Sequence, residues 1–261
     1  MSKADAVVLA GALAVPDPDA GDGAANRAMA KLGDKTMLQW VVDALRSSPS
    51  VGRLVAVGQV SAVGLDQVIE PGGDLVENLR RGIDAVGTDR PVLVASSDIP
   101  LLTPGAVEDF LGRAESAGAD LVYPIVPKAH CEARYPGLKR TYVRTADGIF
   151  TGGNLMLVRP QFVEQNWHTI AAAYACRKHT LKLARMIGLG VLARVLVGQL
   201  VPCVLRVSLL ERAASRMLGA RVAAVVSAYP EIGEDVDKPS DLAAVREILA
   251  KQIVDKRSGE L

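Results

Sequence analysis

The sequence predicts an α/β fold, with a mostly parallel central sheet, helices on both faces, and a helical insertion. Three observations carry this. Up to Ile125 the chain alternates short apolar runs with amphipathic segments, four times over. The chain is 49% hydrophobic and 23% charged, enough to bury a sizeable core. Aromatics are only 4%, so Ala, Val, Leu and Gly dominate, which suits close helix–sheet contact.

The elements follow in order. Ala6–Ala10 (AVVLA) is a buried strand running into Gly11, a turn that lets backbone approach a ligand closely. Residues 12–26 form a long loop with Pro16, Pro18, Gly21 and Gly23 and, between them, Asp17, Asp19 and Asp22. Loops of that length in compact domains are usually functional or mobile. The EF-hand spacing and its final Glu are absent, which argues against calcium. Leu32-Gly33-Asp34-Lys35 is a turn. Thr36 caps a helix, Met37–Ser47, with Leu38, Val41, Val42 and Leu45 at helical spacing.

Leu54–Val57 is the second strand. Asp74 then caps a helix, Leu75–Val86, whose Leu75, Leu79, Ile83 and Val86 share one face. Val92–Ala95 is a buried strand, and Thr103 with Pro104 opens a helix to about Ala117. Leu121–Ile125 closes the regular half. Beyond it, residues 127–148 read as an extended hairpin or loop rich in Lys and Arg. Leu155–Val158 is a strand, residues 161–219 are helical, and Val222–Val226 is a strand. A last helix, Ser240–Lys251, takes Ser240 as its N-cap. The 261 residues are read as one domain with an apolar, basic insertion at about 161–221.

Bulk properties exclude several functions. The net charge of +1 argues against nucleic acid as a partner. It hides an asymmetry, −7 over residues 1–122 and +8 over residues 123–261. Cys131, Cys176 and Cys203 are scattered and odd in number, without CxxC, so a reducing, cytoplasmic setting without structural zinc is expected. Cys131 beside His130 reads as an exposed loop rather than a thiol nucleophile. Asp5 near the start argues against a secretory leader. Leu181–Val207 is interrupted by Lys182, Arg185, Arg194 and Arg206, too often to span a bilayer. No GxGxxG, no P-loop and no nucleophile elbow is present.

The chemistry is expected around Pro91–Pro104, PVLVASSDIPLLTP. Proline ends the strand, so Asp98 stands at the carboxyl end of a central strand, where open α/β sheets bind ligands. Taken alone, such an aspartate is most simply a turn residue. A second acidic group, Asp235-Val236-Asp237, precedes the last helix. Carboxylates from two distant points could share one hard cation, since Mg²⁺ is held by one or two carboxylates plus substrate phosphates.

The segments VVLAG, LGDKTMLQWVVDAL, SSDIPLL and DVDKPSDLAAV occur in this order and at suitable separations. Together they resemble the MobA-like nucleotidyltransferases, whose fold is of glycosyltransferase-A type, a Rossmann-like arrangement. The resemblance implies Mg²⁺-dependent transfer of a nucleoside monophosphate from an NTP to a phosphorylated small molecule, releasing pyrophosphate. It implies that Leu9, Ala10, Gly11 and Ala12 lie against the nucleotide, that Gly72, Gly73 and Asn78 read the base, and that Asp98 also belongs to the nucleotide site. It further implies Asp98 and Asp237 as metal ligands and Thr151, Gly152, Gly153 and Asn154 as acceptor contacts.

The chain departs from the family pattern in two places. Ala12 replaces a second glycine in the turn, the following loop is long and acidic, and Arg27 stands where relatives carry a catalytic Lys. Arg27 can still grip phosphate as a fork, with Lys31 and Lys35 as rivals nearby. An alternative is a non-catalytic nucleotide- or ligand-binding protein on the same fold. Segment 165–221 carries nine Lys/Arg against one acid, Glu211. It reads as a helical subdomain or homodimer surface, or as peripheral membrane contact serving an amphiphilic acceptor.

Overall fold

The computed structural model describes residues 3–11, 26–87, 89–176, 186 and 188–258. Ala12, the aspartates of the 12–25 loop, and Arg177, Lys178, Lys182 and Arg185 lie outside the described residues.

One nine-stranded sheet organises these residues. Its parallel half is β5 (Gln67–Ile69), β4 (Val51–Val57), β1 (Ala4–Leu9) and β6 (Val92–Ser96), side by side in that order. Next comes β10 (Leu155–Val158), antiparallel to β6, then β7 (Leu121–Pro127). β11 (Val222–Val226) runs parallel to β7. β9 (Gly148–Gly152) pairs with β7 antiparallel and with β8 (Val143–Thr145) in a hairpin. Ile125 pairs with both Gly152 and Val226, and Val122 with both Leu157 and Ala223. β9 and β10 therefore lie end to end along one edge of β7, with Gly153 and Asn154 at the joint. A separate small ladder joins β2 (Lys31–Leu32) and β3 (Lys35–Thr36), so the expected turn at Leu32–Lys35 is the tip of a hairpin.

Helices cover both faces, because the central strands are apolar on both sides. On one face Ala6, Val8, Leu54, Leu93 and Ala95 meet α1 (Met37–Arg46) and α3 (Pro104–Ala117) through Leu38, Leu45, Val107 and Phe110. On the other, Val7, Val55, Val57, Val92 and Val94 meet α2 (Leu75–Val86) and α5 (Pro160–Ala175) through Leu79, Ile83, Phe162 and Val163. The caps expected from sequence form. Thr36 accepts from the Gln39 N–H at 3.1 Å, Asp74 from Glu77 at 2.8 Å, and Thr103 from Ala106 at 3.2 Å.

Several expectations are corrected. Residues 127–148 are not wholly extended, since α4 (Lys128–Arg134) precedes the β8–β9 hairpin. Cys131 sits on α4, 2% exposed, rather than in an open loop. Burial and the neighbouring Glu234 carboxylate push its thiol up to about 11, so it is no nucleophile at neutral pH. The 161–219 stretch is not continuous helix. Among the described residues beyond α5 are α6 (Leu189–Gly198), a 3-10 turn at Pro202–Val204, and α7 (Val207–Leu218). The last helix, α8, begins at Pro239 and runs to Ser258. Ser240 lies inside its first turn and is not the cap. The Asp241 carboxylate instead accepts from the N–H groups of Asp237 and Lys238. No helix among the described residues is long and apolar enough to cross a membrane.

A third apolar cluster fixes the site. Ala30, Leu32, Met37, Leu101, Tyr135, Val236, Leu242, Val245 and Leu249 pack together. They hold α8, the β2–β3 hairpin and the acidic segment 234–237 against the end of β6.

Candidate active site

The site lies beyond the carboxyl ends of β1 and β6. β6 stops after Ser96, and the Ser97 N–H donates to the Leu9 carbonyl at 3.2 Å, closing the end of β1 beside it. Asp98 follows, partly buried. The Ser96 hydroxyl donates to its carboxylate. Burial raises the Asp98 carboxyl above the usual carboxylate range, and Asp237 adds to that, while the Ser96 bond and Arg27 oppose it.

Asp235 and Asp237 reach Asp98 through alternation. Val236 is 2% exposed and points into the third apolar cluster. Its N–H donates to the Asp98 carbonyl at 2.9 Å. Asp235 and Asp237 flank this inward residue on either side. Asp98, Asp235 and Asp237 consequently present carboxylate oxygens within 4.8 Å of one another. Such an all-oxygen, anionic set suits a hard divalent cation such as Mg²⁺.

Asp235 was not singled out as a ligand from sequence. The D-V-D alternation was the available signal, because it puts Asp235 on the same side as Asp237. Arg140, equally unflagged, is its brace. Its guanidinium donates to Glu234 Oε2 at 2.8 Å, to the Asp235 carboxylate, and to the Asp235 carbonyl at 2.6 Å. Burial still raises Asp235 to about 6, with Arg140 pulling down and Asp237 and Asp98 pushing up.

Arg27 sits on a 3-10 turn, Arg27–Met29, capped by Asn26. The Asn26 side chain accepts from the Ala28 N–H at 2.9 Å and donates to the Ala10 carbonyl at 2.7 Å. That tie brings the far end of the long loop back to β1. Arg27 Nη1 lies 3.5 Å from Asp237 Oδ1 and donates to the Val236 carbonyl at 3.4 Å. The three residues expected to do catalytic work, Arg27, Asp98 and Asp237, are thus brought together.

Two clefts open on either side. The first, about 740 Å³, is lined by Leu9, Gly11, Gly73, Asn78, Ser96 and Tyr123 among others. Gly11 has φ +93°, and a Cβ there would sit 3.2 Å from the Asn26 side chain. Ala10 is buried beneath. The Asn78 amide is engaged by two loops: its oxygen accepts from the Gly72 N–H at 2.6 Å and its nitrogen donates to the Gly11 carbonyl at 3.4 Å. Asn78 thus braces the walls, and Gly72 lies buried behind Gly73.

The second cleft, about 490 Å³, is lined by Lys139, Arg140, Thr151, Gly152, Asp235, Asp237 and Lys238 among others. Asn154 lines both clefts. Its carbonyl accepts from Ser96 at 3.1 Å and its N–H donates to Ile232 at 2.9 Å. Gly153 is needed at the joint, since a Cβ would come within 2.6 Å of Ile232 and 2.8 Å of Pro124. Of the four expected acceptor residues, Thr151, Gly152 and Asn154 line the second cleft and Gly153 the first.

Known proteins share this architecture. The profile of the MobA-like NTP transferase domain matches residues 6–201. A hypothetical transferase from Thermus thermophilus has 37% identical sequence and a TM-score of 0.81, over 92% of this chain and 99% of its own. Two solved structures share the fold at lower identity. A 2-C-methyl-D-erythritol 4-phosphate cytidylyltransferase, also from Thermus thermophilus, is 17% identical with a TM-score of 0.54, over 96% of this chain and 100% of its own. The CMP:2-keto-3-deoxy-manno-octonic acid synthetase in complex with CTP is 16% identical with a TM-score of 0.56, over 96% of this chain and 100% of its own. A 2-C-methyl-D-erythritol 4-phosphate cytidylyltransferase from Frankia casuarinae is 30% identical over 115 residues, 41% of this chain. That match spans only 43% of the Frankia protein's length.

Proposed function

The chain belongs to the MobA-like NTP transferase domain family, and we propose that it transfers a nucleoside monophosphate from an NTP to a phosphorylated small molecule. Pyrophosphate leaves. The observation that carries this reading is the meeting of Asp98 with Asp237, from distant points of the chain, between two clefts that share Asn154.

Each part of the site has a task in this reading. The nucleotide occupies the first cleft, against the backbone of Leu9–Gly11 and Gly73. Asp98 and Asp237 would hold Mg²⁺, with Asp235 beside them. When bound, that ion supplies charge neutralisation on the triphosphate. Arg27 offers a planar fork to the phosphates from the side of Asp237. The acceptor enters the second cleft, where Lys139 and Lys238 give its phosphate two cations. Its oxygen attacks the α-phosphorus, the bond to the β-phosphate oxygen breaks, and pyrophosphate carries away the electron pair. The chain's contribution is then positioning and preorganised charge.

Two of the similar proteins are cytidylyltransferases by name and a third was solved with CTP, so CTP heads the candidates. A thermal-shift screen of the four NTPs with Mg²⁺, followed by pyrophosphate release with phosphorylated sugars, tests the reading. One NTP should raise Tm only when Mg²⁺ is present, and pyrophosphate should appear only with acceptor. Failure of every NTP to shift Tm at millimolar concentration would refute it.

A further inference from the structure

We infer that the exposed segment 193–206 rests on an anionic lipid surface. Leu196 is 62% exposed and Leu200 85%, and Val197, Val201 and Val204 are exposed beside them. Arg194 and Arg206 flank this run and are exposed too. From Gln165 to Leu210 the sequence carries six Lys/Arg and no acid. Leucine and valine facing outward between Arg194 and Arg206, with no acid in the run itself, match the headgroup–acyl boundary of a negatively charged membrane.

The segment is held in place. Leu205 is fully buried and its carbonyl accepts from Ala146 at 2.8 Å, while the Val207 N–H donates to Asp147 at 2.7 Å. The exposed apolar groups therefore sit on an anchored element, fixed to the turn of the β8–β9 hairpin. The far end of β9, at Gly152, lines the second cleft.

A second copy of the chain is the other occupant to weigh. A two-fold contact places the same patch on both partners. Arg194 and Arg206 would then need a carboxylate opposite them, and Asp147, the acid at the foot of the segment, is already engaged by the Val207 N–H. Anionic lipid answers them directly. The lipid contact stands whether or not the transferase reading holds.

The experiment is flotation of the full chain with phosphatidylcholine vesicles, with and without phosphatidylglycerol, at low and high salt. Binding should require phosphatidylglycerol and weaken with salt. Leu196→Ser with Leu200→Ser should cut binding at least ~10-fold while the melting curve is unchanged, since both side chains are exposed. Arg194→Gln with Arg206→Gln should cut it by about fivefold per charge. The absence of binding to anionic vesicles at low salt overturns the inference, as does binding that both double variants retain. A concentration-dependent dimer in sedimentation velocity that L196S/L200S abolishes would also overturn it, by assigning the face to a second copy.

Discussion

The Val236 N–H donates to the Asp98 carbonyl at 2.9 Å, a bond between residues 138 positions apart that sets the carboxylates of the site in register. Val236 is anchored on its other side by the apolar cluster of α8 and the β2–β3 hairpin. Packing far from the chemistry thereby decides where Asp235 and Asp237 point.

Asp98→Asn and Asp237→Asn should each lower pyrophosphate release by roughly 10²–10³, the scale of losing one preorganised charge contact. Neither should lower Tm. Burial already disfavours the Asp98 charge, so a neutral amide relieves it, and the Asp237 side chain is 60% exposed. Full activity in either variant would rule out the proposed metal pair.

Asp235 predicts a pH dependence. Burial and its acidic neighbours raise its carboxyl from 3.8 to about 6 in the folded chain. Across that window the folded state keeps a proton the unfolded state has released, so this group's contribution to stability falls as pH rises. Asp235→Asn removes that slope. Urea midpoints of wild type and variant, compared at about pH 4.5 and about pH 6.5, should diverge in the variant's favour at the higher pH. Parallel midpoints would count against the shift.

Arg140→Met should destabilise the chain by about 3–5 kcal/mol, because it strands the buried Glu234 carboxylate and the half-buried one of Asp235. The Arg140 and Glu234 side chains are 10% and 1% exposed. Glu234→Gln in the Met background should recover part of the loss. Chemical denaturation of the single and double variants gives the comparison.

Gly82 lies inside α2, where alanine would ordinarily gain about 1 kcal/mol. Here a Cβ would sit 2.4 Å from Val7 Cγ1 on β1. Overpacking of that kind costs about 1–3 kcal/mol and exceeds the propensity gain. Gly82→Ala should therefore lower the denaturation midpoint; an increase would mean that β1 and α2 separate easily.

The regular half of the fold was legible because its determinants are local. Asp74 with Leu75–Val86, and Thr103 with Pro104, carry their start signals within one segment, and both helices form over the expected spans, although Leu75, expected on the apolar face, is exposed. The second half was less legible. Lys128–Arg134 has no side-chain cap bond to announce its start, and the short β5 and β8 are held by their neighbours rather than by their own pattern. At the last helix, Ser240 looked like the cap, yet Asp241 satisfies the N–H groups before it, so Pro239 becomes the first helical residue.

For the site, the sequence by itself determined the chemical cast: a strand end carrying Asp98, an acidic pair before the last helix, a glycine after the first strand, and the family order of motifs. Tertiary structure alone decided who meets whom. It joined Asp98 to Val236, added Asp235 to the carboxylate group, and supplied Arg140 to brace it. The reason is physical. Caps and apolar periods act over a few residues and are written in order along the chain. A carboxylate cluster depends on distances across the fold, which are fixed only once the apolar faces have packed.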